Sequence, residues 1–528
     1  MRSEEGQRQF VNARVYTGDP ARPWASSFTV ADGVIAELDP PLATTAGAAD
    51  LGGRLVLPGF VDAHNHHALA GLGELYEIAL PVTGGVREIL ALVAAQAAEC
   101  PPGEWIVGNG WSPLLLDELA TAESRVLLDQ VTAGRPTVLR DQSLHNRWVN
   151  SAALGAAGRA GSLGSGLLAE AEGLAVERVL AAARSRSAQM WSRASLTAIA
   201  RLHSHGVTAF QDAGASLPLM RALHALDDDG LLRAWVVTCA LANDPLFGAD
   251  PIGWDLLHAR TTTASRHHRP TFAKIFLDGI PPMRTAAFLE PYLGAPGQAD
   301  QRGELTMSQE ELVSWLRELA AADISVKVHC TGDAAVRATL DAIEAVRGEG
   351  HSRPRFHIAH GQYVEDGDIA RLAALGVSAE ISPYVWFPGV IPEALGTVLP
   401  AERAARLHPN RALWDAGVLI CAGSDWPVSD SPNALHAIYG LVTRADPTGE
   451  RAGRLWPEQA LTLPEAIAVF TRNGAEAIGV DDVTGVLRPG RSADFVVLDG
   501  DIFAEPIEQL PSRQVAQTWF AGELVHER

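Results

Sequence analysis

Lysine is nearly missing from this chain. Of its 42 basic residues only Lys274 and Lys327 are lysines, so arginine carries almost all of the positive charge. Basic residues are scarce overall: 63 acids outweigh them and leave a formal net charge of −21. That balance excludes the basic footprint needed to hold nucleic acid or an anionic membrane. Cysteine is also rare. Cys100, Cys239, Cys330 and Cys421 lie far apart without CxxC spacing, which fits reduced thiols and not a disulfide framework. No apolar run approaches the length that spans a bilayer, and the opening MRSEEGQRQF lacks the apolar centre of a secretory signal. The expectation is a soluble cytoplasmic protein of enzymatic size, with no nucleic-acid or membrane partner; composition leaves a homo-oligomer open.

The length of 528 residues provides for two or three structural units. Both ends read as short strands punctuated by Gly, Asp and Pro, as in FVNARVYTGDPARPW and TGVLRPGRSADFVVLDGD. Between them, eight short apolar runs recur: 59–66, 206–213, 233–240, 272–279, 324–332, 355–361, 376–382 and 417–427. Helical patterns such as SQEELVSWLRELAAAD fall between several of them. Strands alternating with helices predict a (β/α)8 TIM-type barrel, whose functional groups sit at the C-terminal strand ends. The expected division is a small β-sandwich domain from 1–57 and 480–528 and a barrel over 58–479. The stretch 68–200 is too long for one connection and reads as an inserted subdomain after the first strand. Within it, the Ala/Gly/Ser-rich segment from Ser151 to Gly173 is expected to be loop.

Polar residues interrupt the apolar runs near their ends. His64 and His66 are two apart on the first strand, so both face one side. His329, His360 and Asp425 end the fifth, sixth and eighth runs. A histidine at a strand end is ordinarily a polar residue near solvent. Four histidines and an aspartate on one rim, however, form an N/O donor set suited to Zn2+ or another divalent metal.

Lys274 sits inside the apolar run TFAKIFLDG of the fourth strand. A desolvated amine with a lowered pKa reacts with carbon dioxide to give a carbamate, whereas a guanidinium does not. Lys274 is therefore expected to be a carboxylated metal-site residue. An ion pair with Asp278 or Asp212 is the alternative, and Lys327 is the rival lysine for the same role. Lys327 lies two residues before His329 and is expected one layer deeper.

The blocks LVLPGFVDAHNH, LRDQSLHNRWVNSAAL, FAKIFLDGIPPMRTAAFLEPY, KVHCTGDAAV, SDWPV and GVLRPGRSADFVVLD resemble, in order, those of the amidohydrolase superfamily. More narrowly they resemble the family-3 amidohydrolases, the group that includes N-substituted formamide deformylase. The resemblance covers nearly the whole chain. It implies a metal-centred barrel flanked by a β-sandwich, with His64, His66, Lys274, His329, His360 and Asp425 at the metal site. Many relatives carry glutamate before the sixth-strand histidine, whereas this chain has Ala359.

The implied chemistry is metal-assisted hydrolysis of an amide or related non-peptide C–N bond. Asp425 would take a proton from water and pass it to the leaving nitrogen. One or two metal ions are compatible with the set. Alternatives are hydrolysis of an ester or cyclic amide, or a catalytically silent metal-binding protein. Within the insert, the resemblance places His145 near substrate, and Trp111 is a second candidate; a structural role for the tryptophans in the insert core is the alternative. Arg284, after the lysine strand, is a candidate for binding a substrate carboxylate or carbonyl, with a surface ion pair as its alternative.

Overall fold

A computed structural model describes residues 7–41, 48–159, 164–184, 186–294 and 300–528. All eight apolar runs form strands, hydrogen-bonded in one parallel sheet in chain order. They are β1 (Phe60–Asn65), β2 (Val207–Ala215), β3 (Trp235–Leu241), β4 (His268–Phe276), β5 (Ser325–Cys330), β6 (Phe356–His360), β7 (Val377–Ile381) and β8 (Ile420–Ala422). The sheet curls until its last strand meets its first. The amide of Asp425, just beyond β8, donates to the His64 carbonyl at 2.7 Å, and the His66 amide donates to the Trp426 carbonyl at 2.8 Å. Gly423 permits this approach: a Cβ there would lie 2.4 Å from the His64 Cβ. The result is the nearly closed (β/α)8 barrel that the alternation predicts.

Helices between the strands follow their sequence signals. Ser308 caps Gln309–Ala321 in a capping box with Glu311, and Leu312, Leu316 and Leu319 are buried at helical spacing. The strand-rich ends build two further sheets. Gln7–Val11, Phe28–Ala31, Val34–Leu38 and Ala49–Asp50 form one; Leu55–Pro58, Phe495–Leu498, Val515–Phe520 and their neighbours form the other. They share an aromatic core in which Phe10 stacks on Phe28 and meets Phe495 and Trp519 edge-on. Leu55–Pro58 runs into β1 through Gly59, where a Cβ would collide with the Thr208 side chain.

The segment after β1 carries a five-stranded sheet of its own: Ile78–Ala79, Ile106–Trp111, Thr137–Asp141, Asn146–Val149 and Leu167–Ala169. The expected loop over Ser151 to Gly173 is corrected. Ser151–Ala156 is helical, capped by the Asn150 side chain accepting from the Ala153 amide, and Leu167–Ala169 pairs with Asn146–Trp148. Small residues there serve close packing as well as turns. The part of that expectation at 160–163 lies outside the described residues. No helix among the described residues is long and apolar enough to cross a membrane.

Candidate metal centre

Barrel closure assembles the site. Strand alternation turns His64 and His66 inward at the rim, and the β8–β1 junction brings Asp425 between them. Asp425 Oδ1 lies 3.4 Å from Nε2 of each histidine, and one donor atom from each of the three residues falls within 4.8 Å of the others. Asp62 pins this corner by accepting from the His64 amide and from the amide and hydroxyl of Ser424. Asp425 and His360 both hold left-handed backbone, with φ of 54° and 72°. Such conformations persist where surrounding structure enforces them, and they concentrate at functional sites.

His329 and His360 form the facing wall, their ring centroids 4.4 Å apart, and the His64 ring is 4.8 Å from His360. Three of the rings are fixed through Nδ1. His64 meets the Glu380 carboxylate, His329 meets Asp278 at 3.0 Å, and His360 meets the Ser382 carbonyl at 3.1 Å. These carboxylate and carbonyl partners favour a proton on Nδ1, which leaves Nε2 its lone pair, the arrangement that suits metal ligation; the Ser382 hydroxyl also lies 3.3 Å from His64 Nδ1 and 3.2 Å from His360 Nδ1. Burial, then the neighbouring lysines and histidines, hold all three imidazoles well below their ordinary pKa. They are therefore neutral, as ligands must be.

The two lysines prove to be direct register partners on β4 and β5, one beside the other. Their surroundings differ sharply. Lys327 Nζ donates to the Ala63 carbonyl at 2.8 Å and to Glu380 at 3.0 Å. Lys274 Nζ is fully buried with no hydrogen-bond partner among the described residues, and it lies 4.8 Å from the Phe276 ring centre. Burial, aided by repulsion from Lys327, lowers its pKa to about 8. The acids weighed as its partners are engaged elsewhere: Asp278 with His329 and the Thr331 and Gly332 amides, Asp212 with His67 at 2.7 Å. His64 Nε2 and His66 Nδ1 are likewise buried without partners. Buried polar atoms are rarely left so, and a divalent cation with N and O ligands fits this donor set.

His145, on a loop of the insert, reaches the same chamber. Its ring is 5.4 Å from that of His329, and its Nδ1 pairs with Glu170 at 2.8 Å. Burial opposes its protonation, but Glu170 outweighs this and the net shift is upward. The other two candidates lie elsewhere. Trp111 is buried in the insert core with its indole N–H on the Leu139 carbonyl, beside Trp148. A bulge at Asn109–Trp111, with Gly110 at φ 108°, interrupts the strand register there. Arg284, itself at φ 60°, stacks over Tyr292 and donates to the Leu293 carbonyl. Neither lines the chamber.

Sequence reasoning missed Glu380 and undervalued Asp278. Glu380 carried a readable signal: it is the one acid inside the apolar run GVSAEIS, the same kind of oddity as Lys274. It is also the register partner of Ala359, so the layer where relatives place a glutamate still receives a carboxylate, from the next strand.

Comparison with known proteins gives the family and the fold. The sequence model of the amidohydrolase family matches residues 48–526. The chain belongs to the amidohydrolase family. This amidohydrolase is 26% identical to N-substituted formamide deformylase of Arthrobacter pascens over 98% of both chains. It is also 26% identical to Protein LONG AFTER FAR-RED 3 of Arabidopsis thaliana, over 98% of this chain and 91% of that one. A solved metal-dependent hydrolase of Pyrococcus horikoshii shares the fold, with a TM-score of 0.75 at 20% identity over 95% of this chain and 99% of the other.

Proposed function

We propose that this amidohydrolase is a metal-dependent enzyme that hydrolyses an amide or related non-peptide C–N bond of a small molecule. The observation that carries the reading is the convergence of His64, His66 and Asp425, with His64 Nε2, His66 Nδ1 and the neighbouring Lys274 Nζ all buried without hydrogen-bond partners among the described residues. His64, His66 and Asp425 would hold a divalent ion of zinc type, with His329 and His360 supplying ligands from the facing wall. When bound, such an ion supplies Lewis acidity and acidifies water near neutral pH.

The remaining work falls to the chain itself. Asp425 would accept a proton from the attacking water and return it to the leaving nitrogen, and its position between two histidines suits that transfer. Glu380 and Asp278 keep His64 and His329 in the ligating tautomer. His145 would orient the substrate carbonyl or leaving group from the insert side. Lys274, as the free amine, would add to carbon dioxide through its lone pair and release one proton, giving a carbamate facing the histidines. Lys327 is less suited, because its ammonium is bound by Glu380 and a carbonyl. The Arthrobacter relative's name makes N-substituted formamides the first substrates to try.

The test combines metal content by mass spectrometry with turnover on formamides, acylamines and esters. About one or two equivalents of divalent metal and C–N cleavage abolished by chelation are expected. Bound metal with no turnover on any panel member, or cleavage of esters alone, would overturn the reading.

A further inference from the structure

The chamber around Lys274, His329, His360 and Asp425 offers only about 20 Å³. That is room for roughly one water molecule and not for the body of an organic substrate. Directly beside it lies a cleft of about 680 Å³ between the barrel rim and the insert, a volume typical of ligand sites. Two side chains, Leu144 and Phe247, line both spaces. Building on the proposed amide hydrolysis, we infer that the substrate carries an apolar body, which occupies this cleft while its reacting carbonyl passes between Leu144 and Phe247 into the chamber.

The construction of the neck supports this. Leu144 is a non-glycine residue at φ 64°, and its amide donates to the Asp141 carbonyl in a tight turn. The Asp141 side chain fastens the same loop through the Asn146 amide and carboxamide. A strained backbone therefore aims an apolar side chain at the boundary between the two spaces. Opposite it, Asp244 accepts from the Leu246, Phe247 and Ala249 amides and fixes that loop. Phe247, only partly buried, meets the rings of His66 and Phe276 at 6.1 and 6.5 Å. With both backbones pinned, side-chain rotation is the movement left to open the passage.

The chemistry of the cleft sets the class of its occupant. Leu69, Leu72, Trp191, Leu219 and Trp426 form its apolar wall. Several charged residues at its edge are paired among themselves: Arg140 with Glu177 and Glu77, Arg186 with Glu77, and Arg201 with Glu74; Arg184 and Asp250, also at the edge, have no ion pair among the described residues. Against the apolar wall an alkyl or aryl body gains by burial.

The test measures kcat/KM on N-methyl-, N-butyl- and N-octylformamide, with calorimetric binding of the same compounds. The expected result is a rise on the order of threefold per methylene until the cleft is filled. Leu69→Trp, which takes up cleft volume, should lower the octyl-to-methyl ratio by about tenfold or more. Turnover that ignores chain length in the unsubstituted protein overturns the cleft assignment and leaves amide hydrolysis standing. Absence of turnover with octylformamide bound at least tenfold tighter than methylformamide supports the cleft and counts against the hydrolytic reading. Neither turnover nor preferential binding of octylformamide overturns the inference.

Discussion

Lys274 and Lys327 stand side by side on neighbouring strands, both fully buried, yet one makes two hydrogen bonds and the other has none among the described residues. A buried ammonium is costly unless paired, so the Lys327 side of the barrel is electrostatically closed. On the Lys274 side the Asp425 and Glu380 carboxylates and the Phe276 ring offset the cost only in part, and no described group accepts a hydrogen bond from the amine. The contrast separates a structural lysine from one whose stability cost its surroundings offset only in part. Identical residue type, depth and register therefore do not imply identical role; the partners decide.

The sharpest way to break this contrast is to remove each amine in turn. Lys327→Met strands the Glu380 carboxylate in the barrel and should cost about 3–5 kcal/mol in denaturant unfolding. Lys274→Met deletes a buried amine without hydrogen bonds and should leave metal-free stability unchanged or raised. Equal losses in the two variants would show that the amines share one environment.

A pH series sharpens the same difference. In the folded chain the Lys274 pKa is lowered from 10.5 to about 8, so between those values the unfolded chain binds more protons and stability rises with pH. The penalty is fully present below pH 8 and relieved as pH climbs toward 10.5, by up to about 3 kcal/mol. In metal-free, carbonate-free buffer the stability advantage of Lys274→Met over the unsubstituted protein should therefore be largest near pH 7 and shrink by pH 10. A constant gap would mean that Lys274 is not a desolvated ammonium.

Metal binding comes next in size. Lys274→Arg keeps a positive charge but cannot form a carbamate, and should weaken metal affinity and turnover by about 10- to 100-fold. Lys327→Arg should affect both much less. Metal equilibrium dialysis separates the outcomes, and a reversed order would transfer the role to Lys327.

Much of this contrast was legible in the sequence because it depends on strand ends. The eight apolar runs mark the barrel strands, and polar residues at the ends of β1, β5, β6 and β8 mark one rim, since parity and direction fix where strand residues point. The lone lysine in an apolar strand was visible for the same reason. What separates it from Lys327 was not, because Glu380 lies 53 residues beyond Lys327 in the chain and joins Lys327 and His64 only after closure. Trp111 escaped for a local reason: the bulge before it disturbs the strand register that a side-chain direction is read from. The segment from Ser151 escaped because alanine and glycine are equally at home in loops and in tightly packed short elements.

Arg284 gives the smallest and last contrast. It follows the lysine strand closely enough to suggest a substrate contact, but the turn at Pro281–Met283 ends in its left-handed backbone and carries the guanidinium over Tyr292. An exposed or half-buried cation–π contact of this kind contributes about 0.5–1 kcal/mol, and the hydrogen bond to the Leu293 carbonyl is replaceable by water. Arg284→Ala should therefore leave KM and kcat within about twofold, with a stability loss near 1 kcal/mol, whereas His145→Ala should raise KM by roughly tenfold if its ring contacts substrate beside His329. Steady-state kinetics on one hydrolysed amide compares them directly. A KM effect at Arg284 as large as that at His145 would place substrate on the far side of the β4 loop, away from both lysines, and would dissolve the link between the unpaired amine and the reacting bond.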